Sequence, residues 1–307
     1  MEKSSSQFSQ EVQAPVLRSV KELVKLAFSD AHSHCNPVRG MGAKRIAEAF
    51  AREGGWFIAF IMLPSWDYGG EVLFDLEGYR KLVEIHSKDC REAKIPGLEV
   101  KCFAGFHPAE IDKLIESGKN PAEVLSYSLS IAEMLGKACS EGKIDGIGEV
   151  GRMHYKVQVH SALIAQRALE AFATVARDRD CPLQLHLEQI PGFTAESIEE
   201  LIEKVGLKRD KVIIHHSTIS VSKEARERGI WSTVLGKKEL LSPLLEERGL
   251  ELLLLESDFI DDPQRPGKVI YPWEIGRSLS SMVEEGKLSS NEAEKIAIDN
   301  VKEFFFQ

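Results

Sequence analysis

The sequence has 307 residues, of which 43% are hydrophobic and 28% are charged, and its formal net charge is −9 at pH 7. These fractions are typical of a soluble globular protein, and the negative charge argues against a dominant basic surface for nucleic acid. No apolar run approaches the roughly 20 residues needed to span a membrane, and residues 1–13 lack an apolar signal-peptide core, so the cytoplasm is the expected location.

Strand and helix patterns alternate along the chain. Residues 1–15 are expected to be disordered, and a short amphipathic helix is predicted at Val16–Leu26. Trp56–Leu63 is apolar throughout, as expected of a strand buried on both faces. The predicted strands are Ala27–Ala31, Trp56–Leu63, Glu99–Gly105, Asp145–Val150, Cys181–His186, Lys211–His216, Ile230–Leu235 and Glu251–Glu256.

Helical sequence fills the segments between these strands. The longest segment, Glu110–Gly142, is interrupted near Asn120–Pro121, because the residue before a proline disfavours the helical conformation. The other predicted helices are Ala43–Arg52, Asp75–Ala93, Gln158–Asp178, Ala195–Val205, Ser222–Arg228, Lys237–Arg248, Pro272–Glu285 and Ser289–Phe305.

Repeated strand–helix units imply a parallel sheet, and eight of them can close into a (β/α)8 TIM barrel. An open doubly wound sheet is the alternative, but it would normally carry a glycine-rich phosphate loop after an early strand. Gly40-Met-Gly42 lacks the third glycine of such a loop. We therefore predict a single α/β barrel domain at residues 16–307.

Polar residues end several of the predicted strands, where a barrel of this type builds its active site. Most of these polar residues are histidines and carboxylates, which suit a divalent metal ion. There are more of them than the three or four ligands that one zinc ion needs. A carboxylate on the middle strand could bridge two ions and help to generate a hydroxide nucleophile. Any one of these residues could be incidental, but together they predict a metal-dependent hydrolase. The candidates are His32, His34, Glu149, His186, His215 or His216, and Asp258.

Five cysteines occur, none in a CxxC pair. In a large cytosolic chain they are expected to be free thiols. Cys35 directly follows His34 and is expected to be a neighbour of the metal site but not a ligand.

The order of the short motifs resembles the TatD family of metal-dependent barrel hydrolases. The resemblance runs from about Phe28 to Phe304 and rests on the segments Asp30–His34, Gly105–Pro108, Gly148–Gly151, Pro182–His186, Ile213–His216, Leu254–Asp258 and Asn300–Phe304.

That resemblance implies a phosphoesterase with two divalent ions, often a deoxyribonuclease. His32, His34 and Asp258 would hold the first ion, and Glu149 would bridge to the second. His186 and a histidine of the sixth strand would hold the second ion. Asp258 would also position or deprotonate the attacking water. His107 and Glu256 would support the ligands or contact the substrate.

Departures from the family pattern bear on the substrate. Arg152-Met153-His154 follows the glutamate motif where an Asp is usual, and Leu187-Glu188 follows His186 where an Arg is common. Arg152 could supply a phosphate contact from its different position, and His154 is a further candidate for contact with substrate. These changes concern the substrate more than the metals.

The sixth strand leaves two ligand candidates. Neighbouring residues of a strand alternate faces, so only one of His215 and His216 is expected to point inward. The TatD pattern favours His215, whereas Ser217 after His216 fits a phosphotriesterase-like pattern and leads us to favour His216.

Three functional classes follow from these observations. The first is a two-metal phosphodiesterase or nuclease acting on a small-molecule or nucleic-acid phosphoester. The second is an amide, ester or lactone hydrolase with the same metal centre, because the fold alone does not decide between them. The third is a degenerate metal-binding protein. No membrane association and no protein partner are indicated, and the metals could be Zn, Mn, Mg, Fe, Ni or Co.

Overall fold

The eight predicted strands form one parallel sheet in chain order in a computed structural model that describes residues 26–246, 249–265 and 269–306. The last strand returns to the first, since the Asp258 N–H donates to the His32 carbonyl and the His34 N–H donates to the Phe259 carbonyl. This arrangement confirms the (β/α)8 barrel. The strands are β1 Phe28–Cys35, β2 Gly55–Met62, β3 Glu99–Ala104, β4 Gly146–Gly151, β5 Leu183–His186, β6 Val212–Ile214, β7 Trp231–Leu235 and β8 Leu253–Glu256.

The helices surround the barrel, and local capping explains several boundaries. The Asp75 carboxylate accepts the first free N–H groups of α3, and the Asn120 side chain caps α5 directly before Pro121. The break predicted at Asn120–Pro121 is therefore confirmed. The helices are α1 Ala43–Arg52, α2 Trp66–Gly69, α3 Leu76–Glu92, α4 Pro108–Glu116, α5 Pro121–Ser140, α6 Val159–Arg179, α7 Thr194–Val205, α8 Ile219–Glu227, α9 Lys238–Glu246, α10 Glu274–Glu284, α11 Ser290–Glu294 and α12 Asn300–Phe305.

Some predictions concern residues outside this description. The tail at 1–15 and the helix Val16–Leu26, apart from Leu26, lie outside the described residues, as do the last two residues of the predicted helix Lys237–Arg248. The single helix predicted at Ser289–Phe305 is instead two α-helical segments, α11 and α12, joined by a π-helical stretch at Lys295–Asp299.

The C-terminal segment packs against the inside of the barrel. Phe304 lies edge-on to Trp231 of β7, with ring centroids 5.6 Å apart, and Phe305 lies 4.5 Å from Phe57 of β2. These rings are buried with Ala31 and other inward-facing strand residues in one apolar cluster. Trp231 is the first residue of β7 and Phe57 the third of β2, so this apolar layer lies near the amino ends of these strands and away from their carboxyl ends.

The cysteines correct one prediction. Cys90 is joined to Cys102 and Cys139 to Cys181, while Cys35 is a buried free thiol. The Cα atoms of the two pairs are 5.9 and 6.4 Å apart, within the range for a disulfide. Cys90 on α3 meets Cys102 on the adjacent β3, and this proximity comes from packing that the sequence spacing did not reveal.

Within the described ranges, no helix is both long enough and apolar enough to cross a membrane.

Candidate metal centre

Two histidines of β1 face a carboxylate of β4 at the carboxyl end of the barrel. The Nε2 atom of His32 lies 2.7 Å from Glu149 Oε1, and the Nε2 atom of His34 lies 3.4 Å from the same oxygen. Asp258, directly after β8, brings Oδ1 to 4.0 and 3.6 Å from these two nitrogens. The four donor atoms lie close enough together to hold one metal ion.

The other ring nitrogens determine which tautomer each imidazole adopts. Gln184 of β5 donates its side-chain N–H to the Ala31 carbonyl, so its Oε1 atom faces His32 Nδ1 at 2.7 Å and accepts a hydrogen bond from it. His34 Nδ1 likewise donates to the Ile61 carbonyl over 3.0 Å. In the neutral rings, both Nε2 lone pairs therefore point into the site, as a metal ligand requires.

The other oxygen of Glu149 faces a second group. His186 Nδ1 lies 3.4 Å from Oε2 and 3.1 Å from the Nε2 atom of His215. His215 also approaches Oε1 of Glu149 at 3.3 Å, and its Nδ1 lies 3.2 Å from Glu256 Oε2. Oε1 thus faces His32, His34 and His215, while Oε2 faces His186, so the carboxylate is in a position to bridge two ions.

His107 is oriented as a hydrogen-bond donor. Its Nδ1 accepts the Ala109 N–H at the start of α4, so the ring proton of the neutral imidazole is on Nε2. That atom lies 3.1 Å from Glu149 Oε2. The geometry agrees with the supporting role predicted for His107 and gives it no free lone pair for a metal.

Both histidines that follow β6 reach the site. The strand ends at Ile214, so strand alternation no longer governs the next residues, and His216 has a left-handed φ of 56°. His215 is 2% exposed and faces Glu149, whereas His216 is 47% exposed and brings Nδ1 to 3.0 Å from Asp258 Oδ2. The expectation that only one of the pair points inward is therefore wrong, and the choice of ligand between them stays open.

The electrostatics of the site favour added positive charge. Burial raises the pKa of Glu149, but the surrounding imidazoles, His215 first, outweigh it and hold this pKa well below its usual range. Burial lowers the pKa of His34, but Asp258 and Glu149 raise it more, to about 10. The hydrogen bond with Asp258 raises the pKa of His216 to about 9. Burial lowers the pKa of His186 and of His215, so these two rings favour the neutral form that binds a metal ion.

A buried orphan atom supports the same conclusion. His32 Nε2 is buried and has no hydrogen-bond partner, although Glu149 Oε1 is only 2.7 Å away. A ring nitrogen close to a carboxylate oxygen but not hydrogen-bonded to it is expected where the nitrogen and the oxygen coordinate the same ion. Together with the mixed histidine and carboxylate donors, this fits divalent metals.

The two further substrate candidates lie in different positions. The Arg152 guanidinium is held by Glu188 through two hydrogen bonds of 2.8 and 2.5 Å and does not line the cavity at the metal centre. His154 does line this cavity, and its Nδ1 lies 2.6 Å from His186 Nε2. The geometry supports substrate contact for His154 and not for Arg152.

Sequence reasoning gave no role to Gln184 and Lys237. Gln184 precedes His186 by two residues on one strand, and this spacing places both side chains on one face, so the signal was present. Lys237 follows β7, lines the cavity of about 430 Å³ at the metal centre and has no ion-pair partner among the described residues. The sequence around Lys237, a glycine followed by two lysines, did not indicate that this side chain lines the site.

Comparisons with known proteins agree with this geometry. The family profile described as TatD related DNase matches residues 29–306. The chain belongs to the TatD family. An uncharacterized protein of Methanocaldococcus jannaschii is 27% identical over 291 residues, covering 92% of this chain and 97% of the relative.

Solved structures of low sequence identity share the fold of this TatD family member. A TatD homologue of Escherichia coli superposes with a TM-score of 0.61 and 16% identity, covering 91% of this chain and 98% of the other. A mutant of an organophosphorus hydrolase from Deinococcus radiodurans gives a TM-score of 0.60 and 14% identity, covering 92% and 93%. The fold is thus that of TatD-type metal-dependent hydrolases.

Proposed function

We propose that this TatD family member is a two-metal phosphodiesterase, with DNA among its candidate substrates. The observation that carries the proposal is the carboxylate of Glu149, whose oxygens face His32 and His34 on one side and His186 on the other. When bound, two divalent ions in such a site clamp phosphoryl oxygens and lower the pKa of a water molecule.

The proposed ligands follow from the contacts above. The first ion would be held by His32, His34 and Asp258, and the second by His186 with His215 or His216. Glu149 would be shared between the two ions. His107, Glu256 and Gln184 would fix the ligands through hydrogen bonds of the kind that metal sites need around them.

The chain's own groups would perform the proton transfer and hold the substrate. Asp258 is partly buried at the mouth of the barrel, and its carboxylate would orient the attacking water and accept its proton. The ammonium group of Lys237 would contact a non-bridging phosphoryl oxygen, and His154 would lie beside the substrate.

The test combines metal content with activity. Purified protein would be analysed for bound metal, stripped with a chelator, reloaded with manganese or zinc, and assayed on bis-p-nitrophenyl phosphate and on DNA. We expect close to two ions per chain and phosphodiester cleavage that the chelator abolishes. Asp258→Asn should reduce the rate by about 10²–10⁴-fold, whereas Asp210→Asn, an exposed position, should not.

Two results would contradict the proposal. Metal binding without phosphodiester cleavage would favour an amide, ester or lactone hydrolase, the second candidate. Failure to bind or regain any metal would indicate a degenerate protein. The cytoplasmic location and the single domain at residues 16–307 stay predictions of the sequence.

A further inference from the structure

A second cavity opens beside the metal centre. It measures about 800 Å³ and shares four of its lining residues, His154, His186, His216 and Leu235, with the cavity that contains the proposed metal ligands. We call it the apolar cleft, because most of its other walls are aliphatic. These are Leu187, Ile190, Ile219, Val234, Leu240 and Leu244.

The apolar cleft exposes aliphatic side chains to solvent. Ile190 is 51% exposed and Leu240 is 39% exposed, although both are large apolar residues. Some of the polar groups that line the cleft already have hydrogen-bond partners within the protein, since Gln189 Oε1 accepts the Thr218 N–H over 2.9 Å. A concave, mostly apolar surface with a few polar groups at one end is the usual form of a small-molecule site.

Cations near the cleft and the metal centre are largely neutralised. Arg152 is paired with Glu188, and Arg265 donates to Asp67 over 2.8 Å and to Asp262 over 2.6 Å. Lys237 is the one lysine or arginine without an ion-pair partner among the described residues that line the two cavities. A DNA strand is held mainly by cations that neutralise several successive phosphates, and this surface offers few of them.

We propose that the apolar cleft binds the aliphatic or aromatic substituent of a small phosphodiester, the group that does not leave, while Lys237 and the metal centre hold the phosphoryl group. This inference rests on the proposed phosphodiesterase function and names its substrate class. The two cavities are continuous at the four residues that line both, so one molecule has access to both.

The experiment uses a series of alkyl p-nitrophenyl phosphates, from methyl to hexyl, on the metal-loaded enzyme. The leaving group and the scissile bond are constant, so changes in kcat/KM report on the alkyl chain alone. We expect kcat/KM to rise roughly fourfold for each methylene group that the cleft buries. The p-nitrophenyl ester of thymidine 5′-phosphate has the same leaving group and should be cleaved with a lower kcat/KM than the hexyl ester.

Variants at the cleft provide the second measurement. Leu240→Gln and Ile190→Gln each remove aliphatic surface from an exposed position, so the fold should tolerate them. Each should lower the ratio of kcat/KM for hexyl over methyl ester by roughly fivefold. Leu163→Gln, on α6 and 63% exposed, is the matched control and should leave this ratio unchanged.

The outcomes separate the two proposals. Cleavage of the esters with no dependence on chain length, or a higher kcat/KM for the thymidine ester than for the hexyl ester, would overturn the inference and leave the phosphodiesterase standing. Equal ratios in the wild type and both cleft variants would also overturn it. If the metal-loaded enzyme cleaves none of these phosphodiesters, the proposed function itself fails, and the inference fails with it.

Discussion

The side chain of Gln184 orients the ligand His32, and its replacement provides a direct test of the metal centre. Gln184 is fully buried, accepts the His32 Nδ1–H over 2.7 Å and donates to the Ala31 carbonyl over 3.1 Å. Gln184→Met has a similar shape but makes neither hydrogen bond. The imidazole then loses the partner that directs its Nε2 lone pair towards the metal.

The expected magnitudes follow from these two contacts. Each buried polar group left without a partner costs about 1–3 kcal/mol, so the apo variant should lose between about 2 and 6 kcal/mol in its free energy of unfolding. Loss of a group that orients a metal ligand typically weakens metal affinity by about 10–100-fold.

Two measurements on the stripped protein test this prediction. Urea unfolding reports the change in stability, and titration with zinc against a chromophoric chelator reports the metal affinity. Ile131→Ala is the matched control, because Ile131 is fully buried on α5 and its truncation should cost about 2–5 kcal/mol without touching the metal centre. If both variants bind zinc as tightly as the wild type does, the reasoning is refuted, and His32 is oriented by packing alone, including its stack on His215 at 3.9 Å.

Two other substitutions test the charge of the site and of the core. Glu149→Gln removes the carboxylate charge that faces both histidine groups, and elemental analysis should show at most one ion per chain instead of about two. Burial raises the pKa of Glu110 from its usual value near 4.5 to about 7. Between these values the folded state holds a proton that the unfolded state releases, so the free energy of unfolding should fall as pH rises, by up to about 3 kcal/mol from this group. Glu110→Gln should remove that part of the pH dependence, which urea unfolding at several pH values between 4.5 and 7.5 would measure.

Clear results would contradict each of these two predictions. Two tightly bound ions in the Glu149→Gln variant would show that the carboxylate is not shared between them. A slope against pH that is the same in Glu110→Gln as in the wild type would show that Glu110 does not hold its proton in the folded protein near pH 6.

Local patterns in the sequence were sufficient to predict the order of the elements. Apolar runs and helical periodicity depend on residues within a few positions of each other, and so do capping residues such as Asp75 and Asn120. In a (β/α)8 barrel the carboxyl ends of all strands lie on one face, so the residues at these ends were predicted to meet. His32, His34, Glu149 and Asp258 do lie together in the structure.

Only the tertiary structure decided how these residues interact. The tautomer of His32 depends on Gln184, 152 positions away along the chain, and the pairing of Cys139 with Cys181 depends on how two elements pack. The early end of β6 brings both His215 and His216 to the site, against the alternation rule. The apolar cleft is lined by residues at or after the carboxyl ends of four different strands, β4 to β7, and by residues of helices α8 and α9. Contacts between distant parts of the chain depend on the packing of the whole barrel, and local sequence patterns do not encode that packing.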